Sequence, residues 1–347
     1  MQNCHDTYFG NEFRTCGVFH GERTERCGWF ASGEGGGMIA LRALRLAMLA
    51  AGTAGGLSGA AWGLLNGQSR YARRVIGPPS NMPLRADGIH LPEGVGPVPR
   101  SELPEGAQPL DLAVLGDSAA AGLGVNFPDE LLSVLIARGL AAELDRPVSL
   151  RTHAIVGTTS QELHAQVDAL LPQPPRLALV IIGANDVTSR LSVSTCAEML
   201  GTEVRRLTEA GVAVVVGTCP DLGSIRPIPQ PLRSLASSWS LALGRAQRRE
   251  VEANGGHAVP LADLLSPEFL ARPAEFFSPD RFHPSAAGYQ AAAEILLPAV
   301  CAALGEWAGG PLPTAPTRSA AAEARRPTSR IVARLNRRLR SRTDTES

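Results

Sequence analysis

Four short segments carry side chains able to do chemistry together. Gly116-Asp117-Ser118, followed by Gly122, supplies a hydroxyl. A hydroxyl becomes a useful nucleophile only beside a base that takes its proton. Asp280-Arg281-Phe282-His283-Pro284 supplies one, because an Asp and a His three residues apart in a turn can hydrogen-bond each other. The carboxylate then fixes the imidazole tautomer, and the free ring nitrogen accepts the proton of Ser118. Two further segments offer donors to developing negative charge: Gly157, an unobstructed backbone N–H, and Asn185 of Gly183-Ala184-Asn185-Asp186, a side-chain amide. Taken singly, each has a plain structural reading. Ser118 is a helix N-cap, Gly157 a turn glycine, Asn185 a turn residue, and Asp280/His283 a turn before a helix whose first position is Pro284.

The elements that must position them alternate in type. Leu110 to Leu115 is a short apolar strand ending at Gly116, with Ser118 exposed at its tip and its N–H opening the next helix. Val148 to Val156 reads as a second strand, Leu177 to Ile182 as a third, Val212 to Val216 as a fourth and His257 to Pro260 as a short fifth. The third and fourth are continuous apolar runs of the kind buried on both faces. Helical spacing covers 128–144, 160–171, 194–210, 230–254 and 285–305. Such alternation predicts an α/β fold: a parallel sheet with helices on both faces and right-handed crossovers. Ligands bind at the carboxyl ends of the strands in such sheets, where three of the four segments fall. The fourth precedes the closing helix.

In this order and spacing the segments resemble the blocks of the SGNH, or GDSL-like, hydrolase (esterase/lipase) family. The match is Gly116-Asp117-Ser118-x-x-x-Gly122, Gly157, Gly183-x-Asn185-Asp186 and Asp280-x-x-His283-Pro284, and the resemblance spans roughly residues 110–305. Val156 stands where the family often has a polar residue before the second block's glycine. The resemblance implies a flavodoxin-like three-layer α/β/α sandwich with a five-stranded parallel sheet. It also implies a catalytic triad of Ser118, Asp280 and His283, and an oxyanion hole of Ser118, Gly157 and Asn185. The reaction implied is cleavage of carboxylic esters through a Ser118 acyl-enzyme, without cofactor or metal. The alternative is an acyltransferase or deacetylase acting on cell-envelope glycans. No G-x-S-x-G elbow is present, so the ordinary α/β-hydrolase has no nucleophile motif here.

Composition bounds the rest. The 347 residues carry formal net charge zero, which gives nothing global to attract nucleic acid. The six Cys include no CxxC pair, and the seven His form no HExxH. Cys196 and Cys219 are expected at the catalytic edge, free, or as a disulfide if the domain is extracytoplasmic. Residues 1–37 lack apolar periodicity and read as a disordered or over-called leader before Met38. Residues 38–66 contain an uncharged run, 46–65, preceded by Arg42 and Arg45, which reads as a signal peptide or membrane anchor. Residues 67–109, rich in Pro and Gly, read as a linker or surface wrap, residues 110–308 as the hydrolase domain, and 309–347 as a disordered basic tail. These expectations place the protein at a membrane or outside the cytoplasm, with contact to the bilayer through 46–65 and the tail, and leave a cytoplasmic place open.

Overall fold

The computed structural model describes residues 59–77, 82–103, 105–307 and 309–313. The leader, most of the apolar run 46–65 and nearly all of the basic tail lie outside them. The chain divides into two units, 1–60 and 61–347. The second holds everything described below except the first two residues of helix α1, which covers 59–76.

Six strands form one sheet: β1 (Gly88–His90), β2 (Leu110–Gly116), β3 (Val148–Thr152), β4 (Leu177–Ile181), β5 (Ala213–Gly217) and β6 (His257–Val259). Their order is β1-β3-β2-β4-β5-β6. The five strands from β2 to β6 pair in parallel, and β1 adds an antiparallel edge beside β3. Alternate residues of each strand point to opposite faces, and both faces are covered. Leu112 and Val114 of β2 and Leu177 and Leu179 of β4 pack under α2 (Leu132–Leu144) and α9 (Ala286–Ala303). Ala113 and Leu115 of β2 and Ala178 and Val180 of β4 face α3 (Leu163–Leu170), α5 (Val193–Glu209) and α6 (Leu232–Ala253). The fold is a three-layer α/β/α sandwich.

Several expectations change. The stretch 67–109 is not a bare linker. Residues 67–76 continue α1, and Gly88–His90 completes the sheet edge, where the Asp87 carboxylate accepts the Thr152 N–H at 2.9 Å. The last residues of the 46–65 run also belong to α1, so the element boundary does not fall at residue 66. The second strand stops as a regular element at Thr152, although the His153 and Ile155 N–H groups still donate to the Val114 and Gly116 carbonyls of β2. No helix opens at Ser118. Residues 118–124 form successive turns, with Gly122 and Gly124 in the left-handed region, and the next α-helix waits until Leu132. Pro284 precedes the cap: Ser285 is the N-cap of α9, its hydroxyl accepting the Gly288 N–H. Three helices had no clear sequence signal: α4 (Ala184–Thr188), α7 (Leu261–Ala271) and α8 (Pro273–Phe276).

Among the described residues one helix, α9, is long and apolar enough to cross a bilayer. Its buried face, from Tyr289 through Leu296 to Val300, packs in the core cluster with α2 and the sheet, which accounts for that apolarity.

Candidate active site

The chain reverses direction across the sheet at β2: β3 lies on one side, and β4 to β6 build out on the other. This switch point opens a crevice at the strand carboxyl ends, and the sequence segments meet there. At the end of β2, Gly116 has φ 130°, and a Cβ would lie 1.9 Å from the Ile181 carbonyl oxygen. Only glycine brings β2 so close to β4 there. Ser118 follows, 8% exposed rather than standing free at a tip.

His283 reaches Ser118 from the opposite side. Its Nε2 lies 3.0 Å from Ser118 Oγ, and its Nδ1 lies 2.6 Å from Asp280 Oδ2. The loop that presents the pair is fixed by its own backbone. A β-bridge joins Phe277 to Pro284, the Ser278 N–H donates to the His283 carbonyl, and Arg281 turns the chain at φ 58°. Asp280 is saturated with donors. Its Oδ1 accepts from the Ser278 hydroxyl (2.7 Å), the Phe282 N–H (2.8 Å) and the His283 N–H (2.9 Å). Burial alone would raise this carboxyl, but the His283 ring and these donors hold it well below the usual carboxylate range. Since the carboxylate only accepts, Nδ1 carries the ring proton and Nε2 presents its lone pair to Ser118.

The second and third segments are tied together. Asn185 Nδ2 donates to the Thr158 carbonyl at 3.0 Å, which spends one of its two N–H groups and holds the turn containing Gly157. Gly157 is solvent-exposed at φ 88°, with open space where a Cβ would be. Its backbone conformation accounts for the glycine. Asp186, buried beside Asn185, accepts the Ser160 N–H at 2.8 Å and the Ser160 hydroxyl at 2.6 Å. Burial raises its carboxyl, and the Ser160 and Cys196 donors oppose this.

Two residues without a motif do comparable work. Gln166 of α3 lies flat against Gly116: its Oε1 accepts the Gly116 N–H at 2.8 Å, and its Nε2 donates to the Gly116 carbonyl at 2.9 Å. Gln247 of α6 clamps the next strand ends, accepting the Cys219 N–H at 2.7 Å and donating to the Ile182 carbonyl at 3.2 Å. A primary amide suits such strand ends, since it offers one donor and one acceptor side by side, and the Gly116 carbonyl shares its second lone pair with the Ile155 N–H. Tyr289 OH donates to the Leu123 carbonyl at 2.7 Å, bracing the turn after Ser118. The only available sequence signal was a polar residue on the buried face of a helix.

Asp117, wholly buried beside this site, is raised to about 7 by burial, against the lowering effects of the Ala119 N–H and His283. Cys196 and Cys219 are free and buried. Burial and the neighbouring Asp186 push the Cys196 thiol up to about 12. Among the described residues no group of His, Cys, Asp and Glu is placed to hold a metal ion.

Ser118 and His283 border a pocket of about 100 Å³ with largely apolar walls, among them Leu132, Ile181, Leu222, Leu265, Phe269 and Phe277. A hydroxyl, an imidazole and a carboxylate linked in series beside an apolar pocket are the equipment of an ester hydrolase. The comparisons with known proteins agree. The GDSL-like lipase/acylhydrolase family matches residues 114–291. GDSL-like esterase Rv1075c of Mycobacterium tuberculosis (strain ATCC 25618 / H37Rv) is 46% identical over 259 residues, 74% of this chain and 81% of that protein. The chain belongs to the GDSL-like lipase/acylhydrolase family, and it is an ester hydrolase. Solved structures similar to it include a lipase/acylhydrolase from Enterococcus faecalis, 21% identical with a TM-score of 0.44, covering 54% of this chain and 93% of that one. A single-residue variant of an acetyl-xylooligosaccharide esterase from Geobacillus, 19% identical, also has a TM-score of 0.44 and covers 56% of this chain and 95% of that one.

Proposed function

We propose that the protein cleaves carboxylic esters through an acyl-enzyme on Ser118, with His283 as general base and then acid and Asp280 as its orienter. The observation that carries this reading is the hydrogen-bonded series from Ser118 Oγ to His283 Nε2 and from His283 Nδ1 to Asp280 Oδ2. His283 takes the Ser118 proton as Oγ attacks the ester carbonyl carbon. The oxyanion is received by the Ser118 and Gly157 backbone N–H groups and by the second Nδ2 proton of Asn185. The carbonyl–alkoxy bond breaks, and His283 gives its proton to the departing alcohol. Water, deprotonated by the same nitrogen, then releases the acid and restores the hydroxyl. The apolar walls beside Ser118 favour an acyl group over a sugar ring.

On this reading the hydrolase domain acts outside the cytoplasm, exported or anchored by the part of the apolar run that precedes α1, with the basic tail from 309 onward as a second contact to an anionic bilayer. Fractionation of cells carrying the full chain tests that part.

The chemistry is tested with Ser118→Ala on an aryl acetate. Loss of a nucleophile costs on the order of 10⁶ in kcat, so turnover should fall to background with an unchanged circular dichroism spectrum. A folded variant within tenfold of the parent would overturn the assignment.

A further inference from the structure

A second cavity adjoins the first. Its volume is about 490 Å³, and it lies between α1 and the first half of α6, with Val187–Arg190 also among its lining. The two cavities share Leu222 and Phe282. The Phe282 ring packs edge-on against the His283 imidazole, centroids 4.9 Å apart, so the shared wall touches the proposed catalytic base.

The walls are mostly apolar, with Trp62, Leu65 and Ile76 from α1 and Leu232, Leu235 and Trp239 from α6, while Asn66, Ser69, Arg73, Thr188, Ser189 and Arg190 add a polar side. Trp62 is 66% exposed and Leu235 49%. Large apolar side chains left in water along one groove mark a surface that an apolar ligand covers. α1 is tied to the domain by polar bonds. The Gln68 amide donates to the Gln230 carbonyl (2.5 Å) and accepts the Leu232 N–H (3.0 Å), and the Arg190 guanidinium donates to Asn66 at 2.7 Å. The wall is therefore held at a fixed distance from α6, with the space between left open. That space is about three times the ~150 Å³ apolar cavity that accepts a benzene. It exceeds the need of a short acyl group, for which the pocket of about 100 Å³ beside Ser118 has room.

We propose that this chamber binds the long alkyl chain of an amphiphilic ester whose carbonyl lies at Ser118, so that α1 sets chain-length preference. The proposal rests on the esterase reading above. It is tested on the full chain with 4-nitrophenyl acetate and dodecanoate. Ala236→Trp narrows the chamber from α6, and Leu65→Asp places a charge on its α1 wall; neither residue borders the Ser118 pocket. Each variant should lower kcat/KM for the dodecanoate at least tenfold, mainly through KM, and leave the acetate within twofold. Parallel losses on both esters, or no loss on the dodecanoate, would overturn the proposal.

Binding is read separately in the Ser118→Ala variant. Titration with dodecanoate should shift the tryptophan emission, because Trp62 and Trp239 line the chamber, and Leu65→Asp should abolish the shift. A shift seen only after removal of residues 314–347 would place the chain's own tail in the chamber and overturn the proposal. Failure of the parent to hydrolyse either ester would count against the esterase reading, and the dodecanoate titration would still decide the chamber.

Discussion

Replacing Asp280 by Asn probes the site at its most constrained atom. Oδ1 accepts three hydrogen bonds, from the Ser278 hydroxyl and the Phe282 and His283 N–H groups. An asparagine must keep its carbonyl oxygen there, since an amide NH2 facing three donors would leave all of them unpaired. Its Nδ2 therefore faces His283 Nδ1, where the parent has a carboxylate oxygen at 2.6 Å. The amide donates, Nδ1 becomes the acceptor, and the ring proton moves to Nε2. That nitrogen, 3.0 Å from Ser118 Oγ, can then no longer take the hydroxyl proton. The same change in a serine protease costs about 10⁴ in kcat, and a comparable loss here corresponds to roughly 5–6 kcal/mol at about 1.4 kcal/mol per decade. The assay is hydrolysis of an aryl acetate at pH 8, with the His283 tautomer read from its ring-nitrogen NMR shifts. Kinetics within tenfold of the parent, or an unchanged tautomer, would refute the reasoning.

Asn185→Ala removes a proposed oxyanion donor and should lower kcat by roughly 10²–10³ with little change in KM; a loss confined to KM would assign Asn185 to substrate binding instead. Gln166→Leu strands the buried N–H of Gly116, while the Gly116 carbonyl keeps the Ile155 N–H, and should cost about 1–3 kcal/mol in urea unfolding, with reduced activity because Gly116 leads into Ser118. Stability equal to the parent would show that the strand end finds other partners. Asp117 gives a pH signature. Its carboxyl ionises near 3.8 when unfolded and near 7 when buried, so between these values the native state binds more protons. Stability should therefore decline as pH rises from about 4 to 7, by on the order of 4 kcal/mol, and level off above. Asp117→Asn lacks the titrating group and should lose that slope; denaturation curves at pH 5 and 8 with the same spacing in both proteins would contradict it.

The layered architecture was legible because its strands are short apolar runs separated by helical spacing, and β4 and β5 in particular read as strands buried on both faces. β1 was not, because a three-residue strand in a Pro- and Gly-rich stretch exists only through pairing with Val148–Leu150 of β3. α7 escaped notice because Leu261–Ala271 is apolar on most sides and contains Pro267. In the site, Ser118, Asp280 and His283 were visible because their types and order are unusual together. Gln166 and Gln247 were not, since each is an ordinary polar residue in a helix until folding places a strand end against its amide. The helix expected after Ser118 gave way to turns because Gly122 and Gly124 adopt positive φ, which a regular helix excludes.

The central claim is that one hydroxyl in this chain, that of Ser118, is activated as a nucleophile. A fluorophosphonate forms a stable ester with such a hydroxyl, and proteolysis followed by mass spectrometry locates it. The account predicts a single adduct on Ser118, absent from Ser118→Ala and strongly slowed in Asp280→Asn. An adduct on a different serine, or labelling that persists undiminished in Ser118→Ala, would contradict it.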